Sequence, residues 1–242
     1  MMELEGRNVL ITGGGRGIGQ ACAIRAAKSG ANVSILGRTQ KQLEEVVSRL
    51  KADFPRQKFF SFAGDVSHES DVIRWVAESE RALGPATDLI NNAADFFSAK
   101  LIDTSLSEWE RLFAVNVHGV FLCSRECVKK MLANKTAGSI VNIGSLAGIR
   151  GLTKFAGTTA YCATKSALVS MTEAMAAELR ELNIRVNLVA PGAVETEMLH
   201  RAFPGFHSPA RPEDLAEVVI YFLNPKAARV VTGSVLEVLT TP

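Results

Sequence analysis

Tyr161 and Lys165 stand four positions apart in a stretch with helical spacing. Residues at this interval lie on the same face of a helix, about one turn from each other. An unperturbed tyrosine has a pKa near ~10 and exchanges protons poorly at neutral pH. A neighbouring ammonium group favours the phenolate, so we expect Lys165 to lower the pKa of Tyr161 toward the working range. With the Ser145 hydroxyl to hold a carbonyl oxygen, this set predicts proton transfer at a carbonyl or alcohol oxygen.

The glycine-rich segment TGGGRGIG, residues 12–19, lies between an apolar strand-like run and a helical one. In this context Gly13 permits a sharp turn, Gly17 lets the backbone approach a pyrophosphate, and Gly19 packs the helix against the sheet. The helix N terminus supplies amide donors and a positive dipole end for phosphates. The alternative is a tight turn that binds nothing. Together with Tyr161 and Lys165, the segment favours hydride transfer from a bound dinucleotide.

The end of the second strand-like run predicts the type of dinucleotide. A carboxylate here usually accepts a hydrogen bond from the ribose 2′-hydroxyl of NAD. This chain has Gly37-Arg38-Thr39 instead, and Arg16 lies in the glycine-rich segment. Two guanidinium groups can bind a 2′-phosphate with charge-assisted hydrogen bonds. We therefore expect NADP(H) to be preferred, with NAD(H) as the alternative; each arginine taken alone also fits a solvated surface charge.

Composition excludes several classes of function. The chain has 242 residues, 47% of them apolar, and a formal net charge of +2 without a basic block, which argues against a nucleic-acid partner. No apolar run reaches the ~18 residues of a membrane span, and the start of the chain resembles neither a signal nor a transit peptide. The cysteines lack CxxC spacing, so we expect buried thiols in a cytoplasmic protein and no metal, although Cys123 and Cys127 lie near His118.

Strand-like and helical runs alternate along the chain. The predicted strands cover 8–12, 32–36, 58–62, 88–91, 139–143, 185–189 and 235–239. The predicted helices cover 18–28, 40–51, 71–83, 108–131, 161–181 and 212–223. This order predicts an α/β fold: a single-domain, Rossmann-like, doubly wound parallel sheet of about seven strands with helices on both faces. The single domain, 1–242, would have a dinucleotide-binding half at about 1–135 and a catalytic and substrate-binding half at about 136–242. The irregular stretch 200–211 is either a lid over the site or a plain surface loop.

Ordered motifs over essentially the whole chain resemble the classical short-chain dehydrogenases/reductases. The matching segments are TGGGRGIG (12–19), Asp65-Val66, NNAA (91–94), NVHGVF (116–121), IGSLAG (143–148), YCATK (161–165) and PGAVETEM (191–198). The resemblance is greatest to the branch of 3-oxoacyl-carrier-protein reductases and carbonyl reductases. It implies an oxidoreductase that forms a homotetramer or homodimer through the two long helices near 108–131 and 161–181.

The resemblance also implies a role for each matching residue. Tyr161 would be the general acid or base, Lys165 would lower its pKa and hold the nicotinamide ribose, and Ser145 would bind the substrate oxygen. Asn116 would hold a water in a proton relay. The implied cofactor-binding residues are Thr12, Gly13, Gly15, Arg16, Gly17, Ile18, Gly19, Arg38, Asp65, Val66, Asn92, Ala93, Tyr161, Lys165, Pro191, Gly192, Val194 and Thr196. Of these, Asp65 and Val66 would flank the adenine, Asn92 would support the ribose, and Val194 and Thr196 would meet the carboxamide.

Departures from the family pattern concern the substrate and the assembly. The interval from Ser145 to Tyr161 is longer than is usual in the family, and the extra residues within 150–159 would border the substrate. Besides Ser145, the candidate substrate-binding residues are Phe96, Phe97, Phe155, Phe203, Phe206 and His207, which would form an aromatic pocket or pack beneath their own loops. The C-terminal VLEVLTTP replaces the Asp-Gly-Gly common in the family. The leading hypothesis is an NADPH-dependent reductase of a ketone or aldehyde; the alternatives are an NAD(P)-dependent secondary-alcohol dehydrogenase and a non-catalytic NADP(H) sensor.

Overall fold

Seven parallel strands form one sheet in the order β3-β2-β1-β4-β5-β6-β7. The computed structural model describes residues 3–239, so the last three residues of the VLEVLTTP segment lie outside the described part. The strands are β1 (Asn8–Thr12), β2 (Asn32–Gly37), β3 (Phe59–Ala63), β4 (Asp88–Asn91), β5 (Gly138–Ile143), β6 (Ile184–Pro191) and β7 (Val235–Val238). The order reverses between β1 and β4. Ligands bind outside the carboxyl ends of parallel strands at such a reversal.

Helices connect the strands and cover both faces of the sheet. They are α1 (Gly17–Lys28), α2 (Gln40–Asp53), α3 (Glu69–Leu83), α4 (Leu106–Phe113), α5 (Gly119–Ala133), α6 (Thr159–Leu179), α7 (Glu197–Ala202) and α8 (Pro212–Leu223). The predicted α/β fold, a Rossmann-like single domain with a doubly wound sheet, is confirmed. None of the helices within residues 3–239 is both long and apolar enough to cross a membrane.

The structure refines two sequence predictions. The helical region expected over 108–131 is present, and within it a π-helical turn at Ala114–His118 joins α4 to α5. Such turns are short and often lie at functional sites. The stretch 200–211 is not wholly irregular, since its first residues continue α7. The hydroxyl of Thr196 accepts a hydrogen bond from the amide of Leu199 at 3.2 Å and caps the N terminus of that helix.

The core has a layer on each face of the sheet. Every residue of β1 and β5 is buried, as expected for parallel strands covered on both sides. One layer contains Cys22 with apolar residues of α1, α2 and α8, and the other contains Cys123 and Cys127 with residues of α3 and α6. Burial raises the pKa of Cys22 to about 12 and that of Cys123 well above its usual value. These three thiols are therefore core residues, and His118, near them in sequence, is exposed.

Candidate active site

The glycine-rich segment forms the turn between β1 and α1, at the carboxyl edge of the sheet. Gly13 and Gly17 adopt positive φ angles of 66° and 55°, which residues with a Cβ rarely adopt. A Cβ on Gly19 would lie 2.2 Å from the carbonyl oxygen of Gly13. Two positions therefore require glycine for their backbone conformation and a third requires it for close packing.

Asn92 holds this turn in place. Its side-chain amide donates hydrogen bonds to the carbonyl oxygens of Thr12 at 2.9 Å and Gly13 at 3.1 Å. In return, the Thr12 hydroxyl accepts from the backbone amides of Asn92 and Ala93, each at 3.0 Å. Asn92 was expected to support a ribose, but its amide nitrogen is committed to the backbone of the glycine turn. No spacing in the sequence indicated this contact, because Asn92 follows β4 whereas Thr12 and Gly13 lie at the end of β1.

The N terminus of α1 points toward the site without a side-chain cap. Uncapped amides at a helix N terminus, beside a turn that a Cβ would obstruct, fit a phosphate group of a dinucleotide. Arg16, the residue that precedes the helix, forms an ion pair with Glu197 at the start of α7. The turn also lies close to Thr196, because a Cβ on Gly17 would be 3.5 Å from the Thr196 methyl group. The segment after β6 thus borders the cradle that residues 12–19 form.

Arg38 is exposed where β2 ends, close to Asp65 after β3. Burial works to raise the pKa of Asp65, but hydrogen bonds from Ser67 and the charge of Arg38 outweigh it, so the pKa lies below its usual value. Val66 is buried against Gly119, where a Cβ would come within 2.8 Å of the Val66 side chain. Arg38 and Asp65 thus lie where the second and third strands end, at the same edge of the sheet as the glycine turn.

Tyr161 and Lys165 project from the first turns of α6. The Lys165 side chain is 3% exposed, and its ammonium donates a hydrogen bond to the carbonyl oxygen of Ile143 at 3.0 Å. Burial lowers the pKa of Lys165 to about 8. Burial also raises the pKa of Tyr161 to about 12, and the nearby Ser145 hydroxyl opposes this shift. The expected lowering of the Tyr161 pKa is therefore wrong for this structure, because desolvation of the phenolate outweighs the stabilising contacts.

Ser145 follows β5 and faces the same site. Its hydroxyl oxygen accepts a hydrogen bond from the Ala147 amide at 3.1 Å, which caps a short 3₁₀ turn at Leu146–Gly148. The cap leaves the hydroxyl hydrogen free to rotate toward another acceptor. Ser145 thus combines the local capping role with proximity to Tyr161.

Asn116 is buried in the π-helical turn. Its carbonyl oxygen accepts from the Asp95 amide at 2.7 Å, and its amide donates to the Asp95 carbonyl at 3.0 Å and the Thr164 hydroxyl at 3.1 Å. Thr164 immediately precedes Lys165, so Asn116 joins the turn to the start of α6. Asp95 and Thr164 are the direct partners of Asn116, and their spacing in the sequence does not identify them.

Three of the predicted aromatic residues form a row of rings that begins beside Tyr161. The ring centroid of Phe96 is 5.0 Å from that of Tyr161 and 5.8 Å from that of Phe203. Phe155, 69% exposed, continues the row at 5.9 Å from Phe203. His207 differs, because its ring contacts His200 and its Nδ1 atom lies 3.2 Å from Glu195.

The remaining predicted residues occupy neighbouring loops. Phe97 is half-buried in the loop after β4, and Phe206 is exposed in the loop after α7. Pro191 ends β6, and the Gly192 amide donates to the carbonyl of Val238 at 3.0 Å. Val194 is buried in the layer of core that contains α1.

Sequence and structural comparisons show which proteins this chain resembles. The family model for "short chain dehydrogenase" matches residues 7–205. The chain is 36% identical to 2-(S)-hydroxypropyl-CoM dehydrogenase 3 of Xanthobacter autotrophicus, over 98% of this chain and 96% of that protein. It is 33% identical to 2,3-dihydro-2,3-dihydroxybenzoate dehydrogenase of Bacillus subtilis, over 94% and 92% of the two chains.

A solved structure extends the comparison to the fold. A short-chain dehydrogenase of Burkholderia cenocepacia in complex with NADP superposes with a TM-score of 0.88 at 29% identity, over 99% of this chain and 98% of that one. Sequence and fold match over nearly the whole length of both chains. The protein therefore belongs to the short-chain dehydrogenase/reductase family of oxidoreductases.

Proposed function

We propose that this protein is an NADP(H)-dependent oxidoreductase that interconverts a ketone or aldehyde and the corresponding alcohol. The observation that carries the proposal is the half-buried Tyr161 beside the buried Lys165 at the carboxyl edge of the sheet, with the Ser145 hydroxyl next to Tyr161. A proton donor and a hydrogen-bond donor for one oxygen atom are the groups that carbonyl reduction requires. The family relationship supports the same reaction class.

The chain's own residues would position the substrate and move one proton. A bound nicotinamide dinucleotide would supply or accept the hydride. In reduction, Ser145 would donate a hydrogen bond to the carbonyl oxygen while the Tyr161 hydroxyl transfers its proton to that oxygen. A raised pKa keeps Tyr161 protonated at neutral pH, which suits a general acid. In oxidation the same groups would act in reverse, with the phenolate accepting the proton from the alcohol.

The Lys165 ammonium would stabilise negative charge on Tyr161 after proton transfer. Its hydrogen bond to Ile143 holds the side chain at the base of the site. Asn116, bonded to the Thr164 hydroxyl, would fix the start of α6 and thereby the direction of the lysine. We assign Asn116 a positioning role in the proposed tetrad, in addition to the proton relay that the family resemblance implies.

The preference for NADP(H) rests on Arg38. Its exposed guanidinium follows β2 and no carboxylate occupies positions 37–39, so a 2′-phosphate would meet a positive charge. Arg16 makes a smaller contribution to this part of the proposal, since its charge is already paired with Glu197.

The row of rings beside Tyr161 supports a substrate with an apolar or aromatic group next to the reacting carbon. Phe96 and Phe203 would contact that group, and Phe155 would close the open end. The two relatives named above are dehydrogenases of hydroxylated compounds, in agreement with action at a CH–OH group.

A homotetramer or homodimer through α4, α5 and α6 is supported by the half-exposed Phe121 on α5. The four free thiols support the cytoplasm as the compartment.

Turnover by Tyr161→Phe tests the proposal. Loss of absorbance at the reduced nicotinamide band would be measured with NADPH against 3-oxoacyl thioesters, diketones, aromatic ketones and oxidised sugars, and in reverse with secondary alcohols. We expect kcat to fall by about 10³-fold in Tyr161→Phe with NADPH affinity nearly unchanged, since only the proton-transferring hydroxyl is lost. Tyr221→Phe, at the other tyrosine of the chain, is the matched control and should keep wild-type activity.

Two results would contradict the proposal. Normal turnover by Tyr161→Phe would remove this residue from the reaction. Tight NADPH binding by the wild type without turnover of any substrate would instead favour the non-catalytic NADP(H) sensor.

A further inference from the structure

Three side chains capable of binding a metal ion converge beside the site. Glu195 follows β6, His200 lies on α7, and His207 lies in the next loop. The Glu195 Oε1 atom is 2.7 Å from His200 Nε2 and 3.2 Å from His207 Nδ1. The ligating atoms of all three residues lie within 4.8 Å of one another. None of the three belongs to the proposed hydride-transfer machinery.

The glutamate is held in place by groups outside this cluster. Its Oε2 atom accepts a hydrogen bond from the Ser208 amide at 2.8 Å. The Ser208 hydroxyl donates to the carbonyl oxygen of Ala193, also at 2.8 Å. Such second-layer contacts orient the ligands of metal sites and favour one coordination geometry. The remaining oxygen, Oε1, is thereby directed toward the two histidines.

The ligand chemistry points to zinc. Two imidazole nitrogens and one carboxylate oxygen bind Zn²⁺ at about 2.0–2.2 Å, and three protein ligands leave a fourth position open for water. Ligands of a tetrahedral ion at these distances are about 3.4 Å apart. The separations of Oε1 from the two nitrogens, 2.7 Å and 3.2 Å, are both shorter than this, so side-chain rotations that move the histidines away from Oε1 would admit the ion. Calcium and magnesium prefer sites built from oxygen atoms.

Binding would change the protonation of the histidines in a defined way. In the structure, the His207 Nδ1 atom forms a hydrogen bond with the Glu195 carboxylate, and the His200 Nε2 atom lies 2.7 Å from the same oxygen. On binding, both facing nitrogens must present a lone pair to the ion, so each neutral ring would carry its hydrogen on the other nitrogen, Nδ1 of His200 and Nε2 of His207. No redox change is involved, because zinc stays divalent.

We propose that Glu195, His200 and His207 form a zinc site that joins the end of β6 to the loop after α7. Phe203 lies between the two histidines in sequence and contacts Phe96, the residue beside Tyr161. The ion would therefore fix the segment that carries one wall of the proposed substrate pocket. The proposal does not depend on the identity of the substrate or on turnover.

Zinc titration of chelator-treated protein without a polyhistidine tag tests this site. Isothermal titration calorimetry with Zn²⁺ should give about one ion per chain with a micromolar or tighter Kd. His200→Ala and His207→Ala should each weaken binding by at least about tenfold, as expected when one of three ligands is removed. His118→Ala removes an exposed histidine outside the cluster and should leave the zinc affinity unchanged.

Co²⁺ provides a second measurement that needs no stable variant. The wild type should develop visible absorption bands of low-symmetry Co²⁺ coordination, and Zn²⁺ should abolish them. Zinc should also raise the thermal unfolding midpoint of the wild type, because only the folded state assembles the ligands. Absence of Zn²⁺ binding to the wild type would overturn the proposal. Equal binding by the wild type and folded His200→Ala and His207→Ala would also overturn it, since the ion would then lie elsewhere.

Discussion

The Lys165 ammonium lies 5.7 Å from the centre of the Tyr161 ring, on the next turn of α6. It is bonded to the Ile143 carbonyl rather than to the phenol. Burial therefore determines the ionisation of both groups: the pKa of Lys165 falls to about 8 and that of Tyr161 rises to about 12. A buried ammonium with one protein acceptor carries a desolvation cost that a functional role would explain.

Replacement of this lysine should therefore stabilise the fold while it removes activity. Lys165→Met keeps a chain of similar length and discards the buried charge, so we expect the free energy of unfolding at pH 7 to rise by about 2 kcal/mol. Urea denaturation gives this value, with the exposed Lys41→Met as the control that should change little. A Lys165→Met protein less stable than the wild type at pH 7 would contradict the desolvation argument.

The pH dependence of this difference has a definite sign. The folded-state pKa of about 8 lies below the unfolded value of 10.5, so the unfolded chain binds more protons between these limits. Above pH 10.5 Lys165 is neutral in both states and does not lower the stability of the fold; this stability is lost as the pH falls through about 8, because the folded protein must then bury the charged ammonium. We expect the advantage of Lys165→Met to shrink as the pH rises above about 8. Both proteins carry the same buried thiols, so the comparison cancels the titration of those groups.

Arg38→Ala should weaken NADPH binding at least about tenfold, since a charge-assisted hydrogen bond contributes about 1.5–3 kcal/mol. NADH binding should change little, because NADH lacks the 2′-phosphate. Fluorescence titration with both dinucleotides measures the two constants. Equal losses for NADPH and NADH would contradict the assignment of Arg38.

Arg16→Ala distinguishes the two arginines. The Arg16 guanidinium pairs with Glu197, so Arg16→Ala should lower the affinity for NADPH relative to that for NADH by less than Arg38→Ala does. A larger relative loss of NADPH affinity in Arg16→Ala than in Arg38→Ala would mean that the Arg16–Glu197 ion pair opens when the dinucleotide binds.

Gly19→Ala should destabilise the protein by about 2 kcal/mol or more, because the added methyl group would overlap the Gly13 carbonyl oxygen at 2.2 Å. Gly15→Ala is a matched control in the same turn, where the nearest atom to an added Cβ is the Gln42 Cβ at 3.3 Å. Thermal unfolding of both variants gives the comparison. Equal melting temperatures for the two would show that the turn relaxes around the larger residue.

Much of the fold is predictable because a parallel sheet covered on both faces requires apolar strands. All five residues of β1 are buried, and its sequence is a short apolar run followed by the glycines of a turn. The candidate site is predictable where local spacing carries it, as for Tyr161 and Lys165 on one helix. The helical region predicted over 108–131 is present, but the π-helical turn within it was not predicted, since an extra residue in one turn leaves almost no periodic signal.

The other parts of the candidate site depend on contacts that local spacing in the sequence does not predict. Arg16 and Glu197 are 181 positions apart, and Asn92 meets Thr12 across 80 positions. The Tyr161 pKa also depends on how tightly the surrounding loops pack, which its neighbour at position 165 does not reveal. Glu195, His200 and His207 converge only because β6, α7 and the following loop fold back on one another.

Phe203 should determine how well apolar substrates bind. Its ring contacts those of Phe96 and Phe155, so Phe203→Ala would open the row of rings beside Tyr161. We expect KM for an aromatic ketone to rise about tenfold, since the ring area that a bound substrate would cover contributes about 1–2 kcal/mol, with a smaller change for a short aliphatic ketone. Phe206→Ala removes an exposed phenylalanine of the same loop and should change KM less. Steady-state kinetics of both variants with the two ketones measures this difference, and an equal rise in KM for both ketones in Phe203→Ala would mean that the ring shapes the loop without contacting substrate.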